Sequence, residues 1–254
     1  MNRISRIAVA LLVLASGTTF AVGSVEAQPD VVATTSWTAA FARAAGAENV
    51  HVLAPYELRH PPEHELAPSD VQIVGEASFI IFAGYERMVE RLRDAVGEGP
   101  ELIQITTTYA LDTIREGLTT IASALGTTSV AQQEIAQIET FYQEWRSELS
   151  DRELAGSRVI CHMFQAPLAR QLGLEVVGTF GPAPLEAGQI RDLSETQVDF
   201  VIDNWHNDVG APLVESMRET TFVTFLNFPG HEGTRSLMDV LEYNRQRLRE
   251  AQLP

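Results

Sequence analysis

Lysine is absent from this 254-residue sequence, and all 18 basic residues are arginine. A chain with no side-chain primary amine has no Schiff-base chemistry and no phosphate-loop lysine. Cysteine occurs once, as Cys161, which excludes an internal disulfide and any cysteine-based zinc knuckle. Positive charge is scarce. Against 34 acidic residues the formal charge is −16, so nucleic acid, which needs a basic surface to displace counterions, is excluded as a partner. Long apolar runs are missing too. The longest, Ile7 to Ala15, is too short for a bilayer core of roughly 30 Å, which takes about 20 apolar residues. The sequence also lacks Gly-x-Ser-x-Gly and His-Glu-x-x-His, the elbow of serine hydrolases and the helix motif of zinc proteases.

What is present is an ordinary globular composition, 45% hydrophobic and 20% charged, with room for one large core or two small ones. Arg3 and Arg6 precede the apolar run, and Val25-Glu26-Ala27 offers small residues at both key places of a cleavage site. Residues 1–27 therefore read as an export signal, with a mature chain starting near Gln28. Gln28, not a lipid-accepting cysteine, follows the expected cleavage site. The expected location is an oxidising compartment outside the cytoplasm, most simply a periplasm, with the protein free in solution.

Two α/β halves joined by a helix follow from the periodicity. In the first half, Asp30 to Ser36 reads as a buried strand running into a helix over Trp37 to Ala45 capped by Ser36. His51 to Ala54 reads as a second strand, Ser69 as the cap of a helix starting near Asp70, Phe79 to Ala83 as a third strand and Glu86 to Val96 as a helix. From Val130 to Leu149, apolar residues recur at spacings of three and four, which is one stripe of a long helix. In the second half, strands are expected at Arg158 to Cys161, Val198 to Asp203 and Phe222 to Leu226. Helices are expected at Gln165 to Leu172, Ala211 to Arg218 and Leu237 to Ala251. Strands alternating with helices predict parallel sheets, and hence two lobes spanning 28–127 and 152–254 with a helical bridge at 128–151.

In open parallel sheets ligands bind beyond the carboxyl ends of strands. Five of the six histidines fall on such connections: His60 and His64 after the second strand, His162 directly after a strand, His206 just beyond Asp203, and His231 behind Asn227. Imidazoles and a carboxylate converging from several loops make a ligand set for zinc, or with more oxygens for manganese. His162 reads as a ligand or a hydrogen-bonded rim residue. His60 and His64 lie four apart, but the intervening prolines keep one helical turn from presenting both, so the pair reads as one ligand or as residues of a solvated loop. Asp203 reads as a ligand or a helix cap, and His206 and His231 as ligands or as residues of exposed turns. Cys161 is expected to face the core.

Val32-Ala-Thr-Thr-Ser-Trp37, Pro68-Ser-Asp70, Ala77-Ser-Phe-Ile-Ile-Phe-Ala-Gly84, the long central helix and Met238-Asp-Val-Leu-Glu-Tyr-Asn244 together resemble the periplasmic solute-binding proteins of zinc and manganese ABC transporters. The resemblance covers nearly all of the chain after residue 27. It implies two α/β lobes bridged by a rigid helix and a metal held between them by three histidines and a carboxylate. Carried across residue by residue, the first histidine slot falls on Pro62, with His60 and His64 two positions to either side. The second falls on Thr108 in Thr106-Thr-Thr-Tyr-Ala-Leu-Asp112, the third on His162, and the aspartate slot on Asn227 in Leu226-Asn-Phe-Pro-Gly230. One of four ligand types is therefore unaltered, and the long acidic, histidine-rich loop of many zinc-specific members is missing. Either His60 or His64 with His162, Asp203, His206 and His231 rebuilds a site, or the ligand differs.

The resulting expectation is a non-enzymatic, monomeric capture protein that takes zinc or manganese between its lobes and delivers it to an ABC permease in the inner membrane. Its alternatives are a binder of a non-metal solute or metal chelate, and a secreted metal-dependent hydrolase using His162 and Asp203.

Overall fold

The computed structural model describes residues 30–96 and 99–251, so the export signal lies outside the described residues. Four parallel strands, β1 (Val31–Ala33), β2 (Val50–Val52), β3 (Phe79–Phe82) and β4 (Glu101–Gln104), form a sheet in the order β2-β1-β3-β4. A second sheet of β5 (Arg158–His162), β6 (Glu175–Phe180), β7 (Phe200–Asn204) and β8 (Thr221–Phe225) has the order β6-β5-β7-β8, again all parallel. The same topology thus occurs twice, once in each lobe.

Helices α1 (Ser36–Ala44), α2 (Pro68–Glu76), α3 (Val89–Val96) and α4 (Leu111–Leu125) accompany the first sheet. Helices α6 (Ala166–Gln171), α7 (Ala187–Ser194) and α8 (Ala211–Ser216) accompany the second, and α9 (Leu237–Glu250) closes the chain. Between the lobes runs α5 (Thr128–Asp151), 24 residues and so roughly 36 Å long at 1.5 Å per residue. It buries Ala131, Ile138, Tyr142, Trp145 and Leu149 on one stripe. Those side chains join a single core that continues from Val31 and Phe41 of the first lobe to Val159, Phe200 and Val240 of the second. Because the bridge is part of that shared core, it holds the two sheets in one relative position. Polar ties add to this: the Tyr142 hydroxyl donates to the Tyr109 carbonyl at 2.7 Å, and the Arg245 and Arg249 guanidinium groups of α9 both bind the Glu148 carboxylate of α5.

Several local expectations are corrected. Helix α1 is capped by Thr35, not Ser36: the Thr35 hydroxyl accepts from Thr38 N–H while the Thr38 hydroxyl accepts from Thr35 N–H, a reciprocal pair that Ser36, already inside the helix, does not make. Helix α2 begins at Pro68, with Asp70 reaching back to Ala67 N–H at 2.8 Å, so Ser69 lies within its first turn. Strand β7 starts at Phe200 and runs on through Asn204, and β5 extends to include His162. Strands β4 and β6 were not anticipated. Both are edge strands with mixed polar sequences, and a half-exposed edge has no continuous apolar run to betray it. Cys161 is fully buried in β5, and burial pushes its thiol up to about 12.

Candidate functional site

In each sheet the chain leaves the central pair of strands in opposite directions, and the crevice at their carboxyl ends is the natural ligand position. A cavity of about 590 Å³ lies where the two crevices face each other. From the first lobe it is lined by Thr35, Trp37, Arg59, His60, Pro61, Pro62, Tyr85, Thr107 and Thr108. From the second come Met163, Phe164, Pro167, Pro182, Asn204, His206, Asn207, Asn227 and Phe228.

The six residues expected to coordinate a metal do not converge. His162 is fully buried at the end of β5 with both ring nitrogens engaged: Nδ1 accepts from Phe164 N–H at 3.2 Å and Nε2 lies 2.8 Å from Asn207 Oδ1. Acceptance at Nδ1 assigns the proton to Nε2, which donates to Asn207. Burial pushes this imidazole below its usual range, the Asn207 bond partly opposing the shift. Gly181, at φ +79°, lies against the ring so closely that a Cβ there would collide with it. His162 thus holds Asn207 in the cavity wall without lining the cavity itself. The Asp203 carboxylate accepts from Asn204 N–H at 2.7 Å and Gly210 N–H at 3.2 Å, which ties down the loop after β7. Burial raises its pKa against those two bonds. His64 sits behind the loop with Nε2 3.9 Å from Asp70, and His231 stacks on Trp205 at 3.9 Å between ring centroids.

His60 and His206 do line the cavity. His206 is 3% exposed, stacked on Phe228 at 3.5 Å, with Nδ1 accepting from Asn227 N–H at 3.2 Å. Burial pushes its pKa down to about 3, with His231, Arg59 and His60 adding repulsion, so the ring is neutral with its proton on Nε2. Among the described residues no three His, Cys, Asp or Glu side chains gather closely enough to hold a metal ion.

The three slots that the family resemblance marks as altered, Pro62, Thr108 and Asn227, all line the cavity. Their positions meet where a ligand would be, and their chemistry is neutral. The Thr108 hydroxyl accepts from Ala110 N–H at 3.2 Å, and Asn227 leaves Oδ1 buried without a partner among the described residues.

Reading strand ends for metal ligands missed the aromatic side chains in the same places. Trp37 stands just after β1, Tyr85 after β3, Phe164 after β5 and Phe228 after β8. Tyr85, Met163 and Phe164 are 52%, 44% and 43% exposed and form an apolar rim. The same strand-end rule, applied to aromatic and amide residues, would have found them. Arg59 was also missed. It reaches across from the first lobe, donating from Nε to the Trp205 carbonyl at 2.9 Å and pairing with Asp208 at 2.8 Å.

No family model matches the chain, and no curated protein matches it either. Solved structures do. It is similar to FpvC of Pseudomonas aeruginosa, a solute-binding protein solved with Ni2+, at 15% identity and a TM-score of 0.70, covering 87% of this chain and 94% of that one. It is similar to the laminin-binding protein Lmb of Streptococcus agalactiae, described as a bifunctional protein with adhesin and metal-transporting activity, at 14% identity and 0.69, covering 87% and 98%. The metal-dependent lipoprotein YcdH of Bacillus subtilis matches at 14% and 0.65, covering 88% and 98%. The chain has the two-lobed fold of these metal-binding proteins.

Proposed function

We propose that this chain is the capture component of an ABC importer, acting outside the cytoplasm, with its cargo held in the cavity between the lobes and presented to a membrane permease. The observation that carries this reading is the placement of Pro62, Thr108 and Asn227, from three separate loops, on one cavity at the facing strand ends. A continuous core through α5 supports small adjustments of the lobes around cargo instead of a wide hinge motion.

The metal-binding neighbours support a transition metal as part of the cargo. With the protein's own donors reduced to neutral groups around the cavity, the metal would arrive carrying its own organic ligands, or the cargo would be the organic molecule itself. The hydrolase alternative needs His162 and Asp203 at an open coordination site, whereas both are committed to Asn207, Asn204 and Gly210 and neither lines the cavity.

Protein secreted by its native host and purified without a histidine tag tests the proposal, by native mass spectrometry with elemental analysis. The expected result is a non-covalent adduct at one per chain, lost on denaturation. An organic mass with stoichiometric metal identifies a chelate, and an organic mass alone a metal-free solute. Bare zinc or manganese at one per chain restores the simple ion reading. A chain free of any adduct, and taking none back from its host's culture medium, contradicts capture.

A further inference from the structure

Taking the capture reading as its basis, we infer that the cavity recognises a flat, unsaturated organic molecule that is neutral or singly anionic. Oxygen or nitrogen acceptors on it would face Trp37 and Asn204, and a donor hydrogen would face Asn227.

Charge comes first. The chain carries 34 acidic residues, yet none of the described residues lining the cavity is Asp or Glu. Arg59 and His60 are on the wall, and His206 is held neutral. A divalent cation moved from water into such a site would exchange its hydration for neutral groups and a guanidinium, with no carboxylate to offset the loss. An anionic or neutral molecule meets no such penalty.

Size and shape agree. The cavity of about 590 Å³ falls in the range of sites for small organic ligands. An ion with six waters would fill only roughly 200 Å³, at about 30 Å³ per water. The walls are aromatic. Trp37 is 6% exposed, stacked on Tyr109 at 5.7 Å and tilted against Phe228 at 6.0 Å, so the indole is held fixed in the wall. Tyr85 and Phe164 stand exposed at the rim, one from each lobe. Exposed rings on facing lobes favour a planar guest that can stack on them.

The polar groups give the third line. Trp37 Nε1, Asn204 Nδ2 and Asn227 Oδ1 are buried, belong to cavity-lining residues and have no hydrogen-bond partner among the described residues. Trp37, Asn204 and Asn227 are 6%, 0% and 5% exposed. The Asn204 amide is oriented by its own oxygen, which accepts from Gln165 Nε2 at 3.3 Å and His206 N–H at 3.4 Å, so its NH2 remains to donate. A buried polar atom left unpaired is costly, and small rotations of these three side chains toward a guest that supplies two acceptors and one donor would offset that cost.

The test is calorimetric titration of the purified chain with four probes. They are quinoline-2-carboxylate (flat, anionic), cyclohexanecarboxylate (anionic, not flat), N-methylquinolinium (flat, cationic) and Zn2+. The expected order places quinoline-2-carboxylate first, at least about tenfold tighter than each of the others. Trp37→Phe keeps a ring and removes the N–H, and Asn204→Leu keeps the volume and removes the amide N–H groups that would donate to the probe's acceptors. Each variant, once shown by circular dichroism to be folded, is expected to weaken quinoline-2-carboxylate by roughly fivefold or more. The inference is overturned if Zn2+ or N-methylquinolinium binds more tightly, if both anions bind equally, if quinoline-2-carboxylate shows no saturable binding at millimolar concentration, or if both folded variants bind like the parent. A co-purified adduct in the secreted protein alongside any of those results would leave capture standing and remove this guest class alone.

Discussion

At the end of β3, the buried Glu86 carboxylate accepts from the Thr34 hydroxyl at 2.6 Å, from Ala83 N–H at 2.9 Å and from Gly84 N–H at 2.7 Å. The matching place in the second lobe, at the end of β7, holds Asn204 Nδ2, beside Gln165 Oε1, neither with a hydrogen-bond partner among the described residues. Two sheets with the same strand order therefore finish their crevices in opposite ways. Among the described residues that line the cavity, the first lobe offers one unpaired buried group, the Trp37 N–H, and the second offers two amide atoms, Asn204 Nδ2 and Asn227 Oδ1. We take this as a division of labour in which the first lobe supplies a platform and the second reads the polar edge of the cargo.

The largest expected effect breaks the link between the lobes. Trp145, 1% exposed on α5, lies at 5.9 Å from Phe141 and 6.3 Å from Phe225, ring centroid to centroid. Trp145→Ala is expected to cost roughly 3–5 kcal/mol of stability in denaturant unfolding, through lost burial and a residual cavity. A loss below about 0.5 kcal/mol would place it at the surface.

Next comes the asymmetry itself. Glu86→Ala removes the acceptor shared by the buried Thr34 hydroxyl and the Ala83 and Gly84 N–H groups, with an expected cost of about 2–4 kcal/mol, whereas Asn227→Ala removes a carbonyl that has no partner among the described residues and is expected to cost less than about 1 kcal/mol. Equal costs in the two lobes, measured by the same unfolding experiment, would erase the comparison.

Acid sharpens it from another side. His206 is depressed from 6.5 to about 3 and His162 is also lowered, both chiefly by burial. Between those two pH values an unfolded chain binds a proton at His206 that the folded one refuses, so the contribution is intact above about pH 6.5 and stability drains away as pH falls. Against a His206→Gln variant, the parent is expected to lose about 2 kcal/mol more between pH 7 and pH 5. Parallel curves for the two proteins would contradict a buried neutral imidazole. The smallest effect is expected from Arg59→Ala, which removes an exposed ion pair and should change stability by less than about 1 kcal/mol while quickening cargo release.

Much of the architecture was legible because it rests on local periodicity. The apolar stripe through Ile138, Tyr142, Trp145 and Leu149 announced α5, and the buried runs at β3, β5 and β7 announced both sheets. The site was legible in position and obscure in chemistry. Pro62, Thr108 and Asn227 could be placed by register with a known pattern, but nothing in one sequence says that the histidine after β5 turns its ring toward Asn207 or that Asp203 is spent on Gly210 N–H. Those are packing outcomes between segments tens of residues apart. Histidine after a strand is equally a ligand and a strut, and the choice depends on what the loop beyond it supplies.

The central proposal is that Pro62, Thr108 and Asn227, which line one cavity, stand at the positions that the family resemblance marks for metal ligands and offer neutral groups there. Its most direct test is zinc affinity, by competition with a chelator at neutral pH, for the parent and for Thr108→His combined with Asn227→Asp, two residues that line the same cavity. The substitutions return an imidazole and a carboxylate, both deprotonated at that pH, to facing walls. The account predicts weak zinc binding by the parent and a gain of at least about tenfold in the double variant. A parent that already binds zinc as tightly as the double variant would contradict it.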